Sequence, residues 1–300
     1  MTEYGKKMKR ASKILFEDRL YDFEPKSIWD YKKYTEFDKK ITDKVASDGL
    51  KEDTKKGKNW VKVGGGQRAL SKFNSENCKN IIEFFTSKGD TILDPFGGRT
   101  RAIISNHLDR KYVGFELTEK YFPAESTSDR KIFNMDSGDM DKVLDKSMKF
   151  DLAFTCPPYW NMEKYSDNEK DLSTFKTYDD FLEGCNRRLE IASSYLKEDG
   201  FLIVVLMDFR NKGVFYSWHT DTIEYFHSNT DFKLYDTILW EMSPAKRHPL
   251  YPQALLNRRM LNTHEYCLVF NRKTQPELRE FYDKNLNEDE NSSKETNDFF

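Results

Sequence analysis

The stretch Asp151-Leu-Ala-Phe-Thr-Cys-Pro-Pro-Tyr-Trp160 shows most directly how this chain is built. Its apolar run ends in two prolines, which cannot continue the hydrogen bonds of a sheet, so a strand stops and a rigid loop begins. Pro157 and Pro158 fix their φ angles near about −65°, and Pro158 favours an extended conformation at Pro157. We call residues 155–159 the bracket; it is a stiff loop with Tyr159 at its tip, suited to holding a flat polar ring.

Outward from the bracket, short apolar runs alternate with helical patterns. Strands are predicted at Thr91–Leu93, Tyr112–Phe115, Lys131–Phe133, Asp151–Phe154, Phe201–Met207, Lys233–Trp240 and His264–Phe270. The continuous apolarity of the fifth indicates burial on both faces. No helix is predicted between the last two strands. The pattern therefore predicts an α/β fold: a Rossmann-like, seven-stranded, mainly parallel sheet with an antiparallel last strand.

Composition divides the chain into three parts. Residues 1–60 are charged and aromatic without a series of strands, and we predict a helical extension packed loosely on the core. Residues 61–274 form the predicted domain. After about Thr274 the chain is polar and increasingly acidic, which predicts a short helix and then a disordered tail within 275–300.

The totals exclude several classes of protein. The net charge is −2 with 33% charged residues, so any basic surface must be local. No apolar run approaches the roughly 20 residues that span a bilayer. The four cysteines lack the C-x-x-C spacing of zinc sites. We expect a soluble cytoplasmic protein with reduced cysteines, no metal site and no membrane contact.

Acidic residues follow three successive strands. Asp94-Pro-Phe-Gly-Gly98 follows the first, Glu116 the second, and Asn134-Met-Asp-Ser137 the third. Ligands bind at the carboxyl ends of parallel strands, and an acidic residue about 20 positions after the glycine-rich turn suits ribose hydroxyls. Because a full G-x-G-x-x-G and a P-loop lysine are both missing from the sequence, a nucleoside-type ligand is favoured over a dinucleotide or a triphosphate.

Three motifs together carry a family resemblance: Asp94-Pro-Phe-Gly-Gly98, Val113-Gly-Phe-Glu-Leu117 and Thr155-Cys-Pro-Pro-Tyr-Trp160. Over about 67–270 the chain resembles the amino-group DNA methyltransferases, which use S-adenosylmethionine to methylate adenine N6 or cytosine N4. The resemblance implies the class I methyltransferase fold, double-stranded DNA as partner, a possible cognate restriction enzyme, and a prokaryotic cell or phage-infected host. It leaves the oligomeric state open.

The same resemblance implies a set of cofactor-binding residues. They are Phe73, Asp94, Phe96, Gly98, Thr100, Glu116 and Asp136. Asp94, Phe96 and Gly98 would line the methionine part, Glu116 would hold the ribose and Asp136 the adenine amine. The family usually has Gly-Thr after its glycine-rich turn, whereas this chain has Arg99-Thr100-Arg101, so the contact at Thr100 departs from the pattern.

The predicted catalytic residues are Cys156, Pro157, Pro158 and Tyr159. Acceptors that hydrogen-bond an exocyclic amine localise its lone pair for in-line methyl transfer, and Tyr159 would stack on a flipped base. Cys156 stands where the family has Asp, Asn or Ser, and sulfur is a weak acceptor. Three roles stay open for it: a Ser-like residue that slightly favours cytosine, a space filler beside the Pro157 carbonyl, or a nucleophile toward a pyrimidine ring carbon.

Predicted substrate contacts lie on loops at the same sheet edge. Between the last two strands, Glu241 to Asn262 is locally basic, which suits phosphate contacts. The predicted substrate-binding residues are Trp160, Lys164, Arg210, Lys246, Arg247, His248, Arg258 and Arg259.

These patterns predict a DNA amino-methyltransferase. Two alternatives stay open. One is methylation of RNA or protein, since related brackets serve other planar nitrogens. The other is a catalytically silent DNA-binding relative, which the altered Gly-rich turn and Cys156 would explain.

Overall fold

A computed structural model of the chain describes residues 26–29, 36–47, 60–63, 66–69, 74–118, 127–162, 164–242 and 250–284. Its strands are β1 (Ile28–Trp29), β2 (Trp60–Val63), β3 (Gly66–Ala69), β4 (Thr91–Asp94), β5 (Lys111–Phe115), β6 (Arg130–Phe133), β7 (Phe150–Thr155), β8 (Leu196–Leu206), β9 (Phe209–Asn211), β10 (Val214–Tyr216), β11 (Lys233–Glu241) and β12 (His264–Asn271). Its helices are α1 (Glu36–Ser47), α2 (Ser75–Phe85), α3 (Arg99–His107), α4 (Tyr178–Ser194), α5 (Trp218–Asn229), α6 (Tyr251–Leu256) and α7 (275–284).

Eight strands form the central sheet in the order β1-β11-β12-β8-β7-β4-β5-β6. Every neighbouring pair is parallel except the two that include β12, which is antiparallel to β11 and β8. The seven predicted strands and the antiparallel last strand are thereby confirmed. Two separate hairpins, β2–β3 and β9–β10, lie outside the sheet.

Helices cover both faces of the sheet, as the continuous apolarity of β8 predicts. Alternate residues of β8 enter different cores: Leu202, Val204 and Leu206 one, Ile203 and Val205 the other, and all five are fully buried. The first core includes side chains of α4 and α5, and the second includes side chains of α1, α2 and α3. This sandwich fixes the edge at which β4 to β8 end.

The described part of 1–60 is integrated more closely than predicted. Ile28 and Trp29 add an eighth strand by pairing with Leu239 and Trp240 of β11, and the two indoles stack at 5.9 Å. Ile41 of α1 is 1% exposed. The prediction of a loosely packed extension is wrong for these residues, because buried aromatic and aliphatic side chains hold them to the sheet.

The other predicted elements differ in detail. The helix predicted near Asp139 is a 3₁₀ turn at Ser137–Lys142, and the helix predicted from Thr118 falls largely on 119–126, outside the described residues. At the C-terminal end, α7 is the expected short helix and buries Leu278. Within the described ranges, no helix is both long enough and apolar enough to cross a membrane.

Candidate active site

The carboxyl ends of β4, β5, β6 and β7 meet at one edge of the sheet. The parallel pairings β7–β4, β4–β5 and β5–β6 make these strands neighbours. Asp94, Glu116, Asp136 and the bracket therefore share this edge, as the parallel topology predicts. β12 runs the opposite way, so its first residue, His264, begins there and pairs with Glu241 of β11.

Asp94 lies at the centre of a buried hydrogen-bond network. One carboxylate oxygen accepts from Arg101 Nε at 2.6 Å and from the Tyr112 hydroxyl at 2.7 Å. The other accepts from the Thr155 hydroxyl at 2.6 Å and from the Phe96 amide at 3.1 Å. Asp94 is 0% exposed, so its carboxylate supports the protein's own loop rather than facing the open edge.

Electrostatics in this network favour a charged Arg101 and a neutral Tyr112. Burial is the largest single effect and acts against the guanidinium, but the Asp94 carboxylate together with Tyr112 and Cys156 raises the pKa of Arg101. Burial and the same carboxylate both raise the pKa of Tyr112 well above its ordinary value. Arg101 also donates to the Phe96 carbonyl at 2.6 Å, so it holds the loop after β4 at two points.

The glycine-rich turn packs tightly on the next strand. The Gly97 amide donates to the Phe115 carbonyl at 2.6 Å. A Cβ at Gly97 would lie 2.9 Å from that same oxygen, so only glycine fits without displacing β5 or the loop. Gly98 has more room and precedes α3, where Thr100 lies half-buried in the first turn. The backbone of the turn is thus held directly against β5.

The two other acidic residues stabilise the turns in which they lie. Glu116 is half-buried and accepts from the Thr118 amide at 2.8 Å. Asp136 accepts from the Gly138 amide at 3.0 Å. Both Asp136 oxygens also accept from Arg188 of α4, at 2.7 and 2.8 Å.

The sequence interpretation missed Arg188, the partner of Asp136 at the candidate site. It lies three residues after Cys185 and seven after Phe181, on the buried face of α4. Its helical spacing from Phe181 and Cys185 could have indicated that this arginine is buried. A buried guanidinium requires an anionic partner. The partner, 52 residues earlier, could not be identified from spacing.

The bracket is held between the Asp94 network and the last strand. Thr155 is 0% exposed, and Cys156 is half-buried against the second core. The Tyr159 hydroxyl donates to Glu265 Oε1 of β12 at 3.0 Å. Its ring meets Trp218 edge-on, with centroids 5.5 Å apart. Tyr159 remains partly exposed at the tip.

Trp160 does not fit the substrate contact predicted for it. Its side chain is buried, the residue being 4% exposed, and the indole nitrogen donates to the Phe175 carbonyl at 2.9 Å. The ring packs among Tyr178, Phe181 and Tyr216. Trp160 therefore anchors the loop after the bracket in the core, and its φ of +33° accommodates the sharp turn there.

The predicted basic residues that are described lie on exposed segments. Lys164 is paired with Asp167 after the bracket. The guanidinium of Arg210, on the β9–β10 hairpin, lies 4.8 Å from the Phe215 ring centroid. Arg258 is exposed and Arg259 half-buried, just after α6. Four predicted site residues fall outside the described residues: Phe73, Lys246, Arg247 and His248.

A second cluster at this edge was also missed. Asp208 follows β8 and is 5% exposed; its Oδ1 lies 2.8 Å from His219 Nδ1. The His219 ring stacks on Tyr266 of β12, with centroids 3.9 Å apart and planes 7° apart. Burial and, to a lesser degree, the Asp208 carboxylate raise the pKa of Tyr266. Asp208 and His219 are 11 residues apart, but Tyr266 comes from a distant strand, so no local motif predicts the cluster.

The sequence is similar to those of known DNA methylases. Residues 4–126 and 150–300 match the N6_N4_Mtase family model, described as DNA methylase. Over 50 residues the chain is 48% identical to the type II methyltransferase M.BamHI of Bacillus amyloliquefaciens, a match that spans 15% of this chain and 12% of that protein.

Similar solved structures include TrmN from Thermus thermophilus, with 12% identity and a TM-score of 0.43 over 66% of this chain and 48% of that one. A Burkholderia thailandensis 1,6-didemethyltoxoflavin-N1-methyltransferase with bound S-adenosylhomocysteine is 14% identical, with a TM-score of 0.40, over 67% of this chain and 78% of that one. An rRNA methylase from Streptococcus thermophilus is 9% identical, with a TM-score of 0.38, over 67% of this chain and 94% of that one.

Proposed function

This chain belongs to the N6/N4 DNA methylase family, and from that membership we propose that it transfers a methyl group from S-adenosylmethionine to an exocyclic amine of a base in DNA. The observation that carries the proposal is the link between the glycine-rich turn and the bracket. The Thr155 hydroxyl and the Phe96 amide share one oxygen of Asp94, so the loop proposed for the methyl donor and the loop proposed for the base are held together. Such pre-organisation is what in-line transfer requires.

S-adenosylmethionine is the proposed cofactor, and it supplies an electrophilic methyl group. The tight fit at Gly97 supports the assignment, because it fixes the glycine-rich turn against β5 at the sheet edge where ligands of parallel sheets bind. We assign the methionine part to Phe96, Gly98 and Thr100, the ribose to Glu116 and the adenine amine to Asp136, with Phe73 as a further contact. Asp94, being buried, serves by shaping the loop.

The proposed substrate is a base flipped out of double-stranded DNA. Extruding a base costs a few kcal/mol, which stacking on Tyr159 offsets in part. Carbonyl groups of the bracket, that of Pro157 foremost, accept hydrogen bonds from the amine, and Pro158 keeps the loop rigid. Cys156 is a weak acceptor, so the choice between cytosine N4 and adenine N6 depends on those carbonyls and on the shape of the bracket.

DNA contact is proposed for the segment 242–263, which joins β11 to β12 beside the bracket. Arg258 and Arg259 suit phosphates, as do Lys246, Arg247 and His248 in the same segment. The chain also presents three exposed apolar side chains here: Leu255 is 63%, Leu256 83% and Met260 89% exposed. Lys164 and Arg210 extend the proposed surface on neighbouring loops.

The test is methyl transfer by the purified protein from radiolabelled S-adenosylmethionine to duplex DNA, with RNA as the competing substrate. We expect label in DNA and, after digestion to nucleosides, N4-methylcytosine or N6-methyladenine by mass spectrometry. Label in RNA alone, or a ring-carbon product, would refute the proposal. Modification-sensitive sequencing of DNA from expressing cells then gives the recognition sequence.

A matched variant tests the assignment of the stacking ring. Tyr159→Ala should still bind S-adenosylmethionine, because the ring lies on the bracket and not on the glycine-rich turn, but should lose turnover. Turnover at the wild-type rate would contradict the assignment, and loss of cofactor binding would point to a misfolded variant.

A further inference from the structure

The aromatic ring of the bracket is anchored from a distant strand. The Tyr159 hydroxyl donates to Glu265 Oε1 at 3.0 Å across 106 residues of sequence. Glu265 lies near the start of β12, a strand that is hydrogen-bonded on both sides, to β11 and to β8. The anchor point therefore belongs to the rigid sheet rather than to a loop.

A second contact restrains the same ring from the side. The Trp218 ring meets Tyr159 at 82°, with centroids 5.5 Å apart. Trp218 is 0% exposed and packs against Phe181 of α4 at 5.1 Å, so it cannot move aside easily. An edge contact and a hydroxyl anchor together restrict both side-chain torsions of Tyr159, which fixes the plane of its ring.

We propose that Glu265 is a positioning residue of the methyl-transfer site, which sets the plane of Tyr159 and through it the plane of the stacked base. This inference rests on the proposed function. A base that tilts moves its amine off the line of transfer, and a displacement of about 1 Å can cost on the order of 100-fold in rate. A carboxylate acceptor makes the hydrogen bond charge-assisted, so removing the charge should weaken the anchor.

The experiment compares Glu265→Gln, Tyr159→Phe and the double variant in steady-state methylation of duplex DNA. Glu265→Gln keeps the size of the side chain and removes its charge. Glu224, an exposed carboxylate on α5, provides the control Glu224→Gln. We expect kcat to fall about 10-fold or more in Glu265→Gln and Tyr159→Phe, with KM for DNA and affinity for S-adenosylmethionine unchanged. The double variant should be no slower than Tyr159→Phe, because Tyr159→Phe already removes the hydrogen bond that Glu265→Gln weakens by leaving a neutral amide acceptor.

A second measurement does not depend on turnover. With 3-fluorotyrosine incorporated, the Tyr159 signal is assigned by its loss in Tyr159→Phe. Glu265→Gln should shift or broaden it, and Glu224→Gln should not. Unchanged kcat and an unchanged fluorine signal in Glu265→Gln would overturn the inference, as would additive losses in the double variant. If the wild-type protein methylates no DNA but the signal still responds, the proposed function fails while the anchoring role stands.

Discussion

Replacing Arg101 with methionine tests whether the Asp94 network holds the site together. Arg101 is 6% exposed and Asp94 0%, and their atoms approach to 2.6 Å. Arg101→Met keeps an unbranched side chain of similar length but removes the charge and the donors. The Asp94 carboxylate is then left buried without its cationic partner.

The expected cost follows from what remains around Asp94. Removing one member of a buried ion pair typically destabilises a protein by about 3–5 kcal/mol, because the other charge stays desolvated. Asp94 would still accept from Tyr112, Thr155 and the Phe96 amide. These donors moderate the penalty, so we expect about 3 kcal/mol, the lower end of that range.

The assay is urea unfolding followed by circular dichroism, with S-adenosylmethionine binding by calorimetry measured alongside. Arg187→Met is the matched control, since Arg187 pairs with Glu190 at 3.0 Å but its side chain is 60% exposed. An exposed pair of this kind contributes less than about 1 kcal/mol. Adding Asp94→Asn to Arg101→Met should recover part of the loss, because the buried charge is gone.

Two results would refute this reasoning. An Arg101→Met variant no less stable than Arg187→Met would mean that Asp94 does not need a cationic partner. A double variant whose loss equals the sum of the single losses would mean that the two residues stabilise the fold independently.

Three further predictions follow from local geometry. Gly97→Ala should cost about 1–3 kcal/mol in urea unfolding because its Cβ would meet the β5 backbone, whereas Gly98→Ala should cost less; equal costs would oppose the tight-turn interpretation. Burial raises the pKa of the thiols of Cys78, Cys185 and Cys267, so iodoacetamide should label Cys156 first in the folded protein, which peptide mass spectrometry checks. Side-chain hydrogen bonds from two lysines lower the pKa of Asp139 to about 2. Its stabilising effect is present above about pH 4 and lost toward pH 2, so Asp139→Asn should make acid unfolding shallower there; an unchanged pH profile would contradict this.

The sheet could be predicted from sequence because its strands are short buried runs bounded by helical patterns. β8 is the clearest case, since Phe201–Leu206 is apolar throughout and buried on both faces. β1 could not be predicted, because two residues carry no alternation and the strand exists only by pairing with β11. Composition alone therefore predicts a loose extension over residues 1–60, whereas Trp29 and Ile41 belong to the core.

The acidic edge of the site was predictable, but the partners of its side chains were not. Strand ends located Asp94, Glu116 and Asp136 at one edge. Arg101 pairs with Asp94, and Arg188 pairs with Asp136. Both arginines lie on helices, and tertiary packing decides which face of a helix points toward the sheet edge. Asp94 was accordingly predicted as a ligand contact, whereas its carboxylate is enclosed by protein donors.

The network around Asp94 also constrains how this protein can change over evolutionary time. Asp94, Arg101, Tyr112 and Thr155 meet at one carboxylate from β4, α3, β5 and β7. Losing Asp94 removes the acceptor shared by the three buried donors, and losing Arg101 leaves the buried carboxylate without its cationic partner. In an alignment of relatives we therefore expect these four positions to be exchanged as a set. A lineage with the more usual Gly-Thr turn should have different residues at the positions of Arg101 and Tyr112 together.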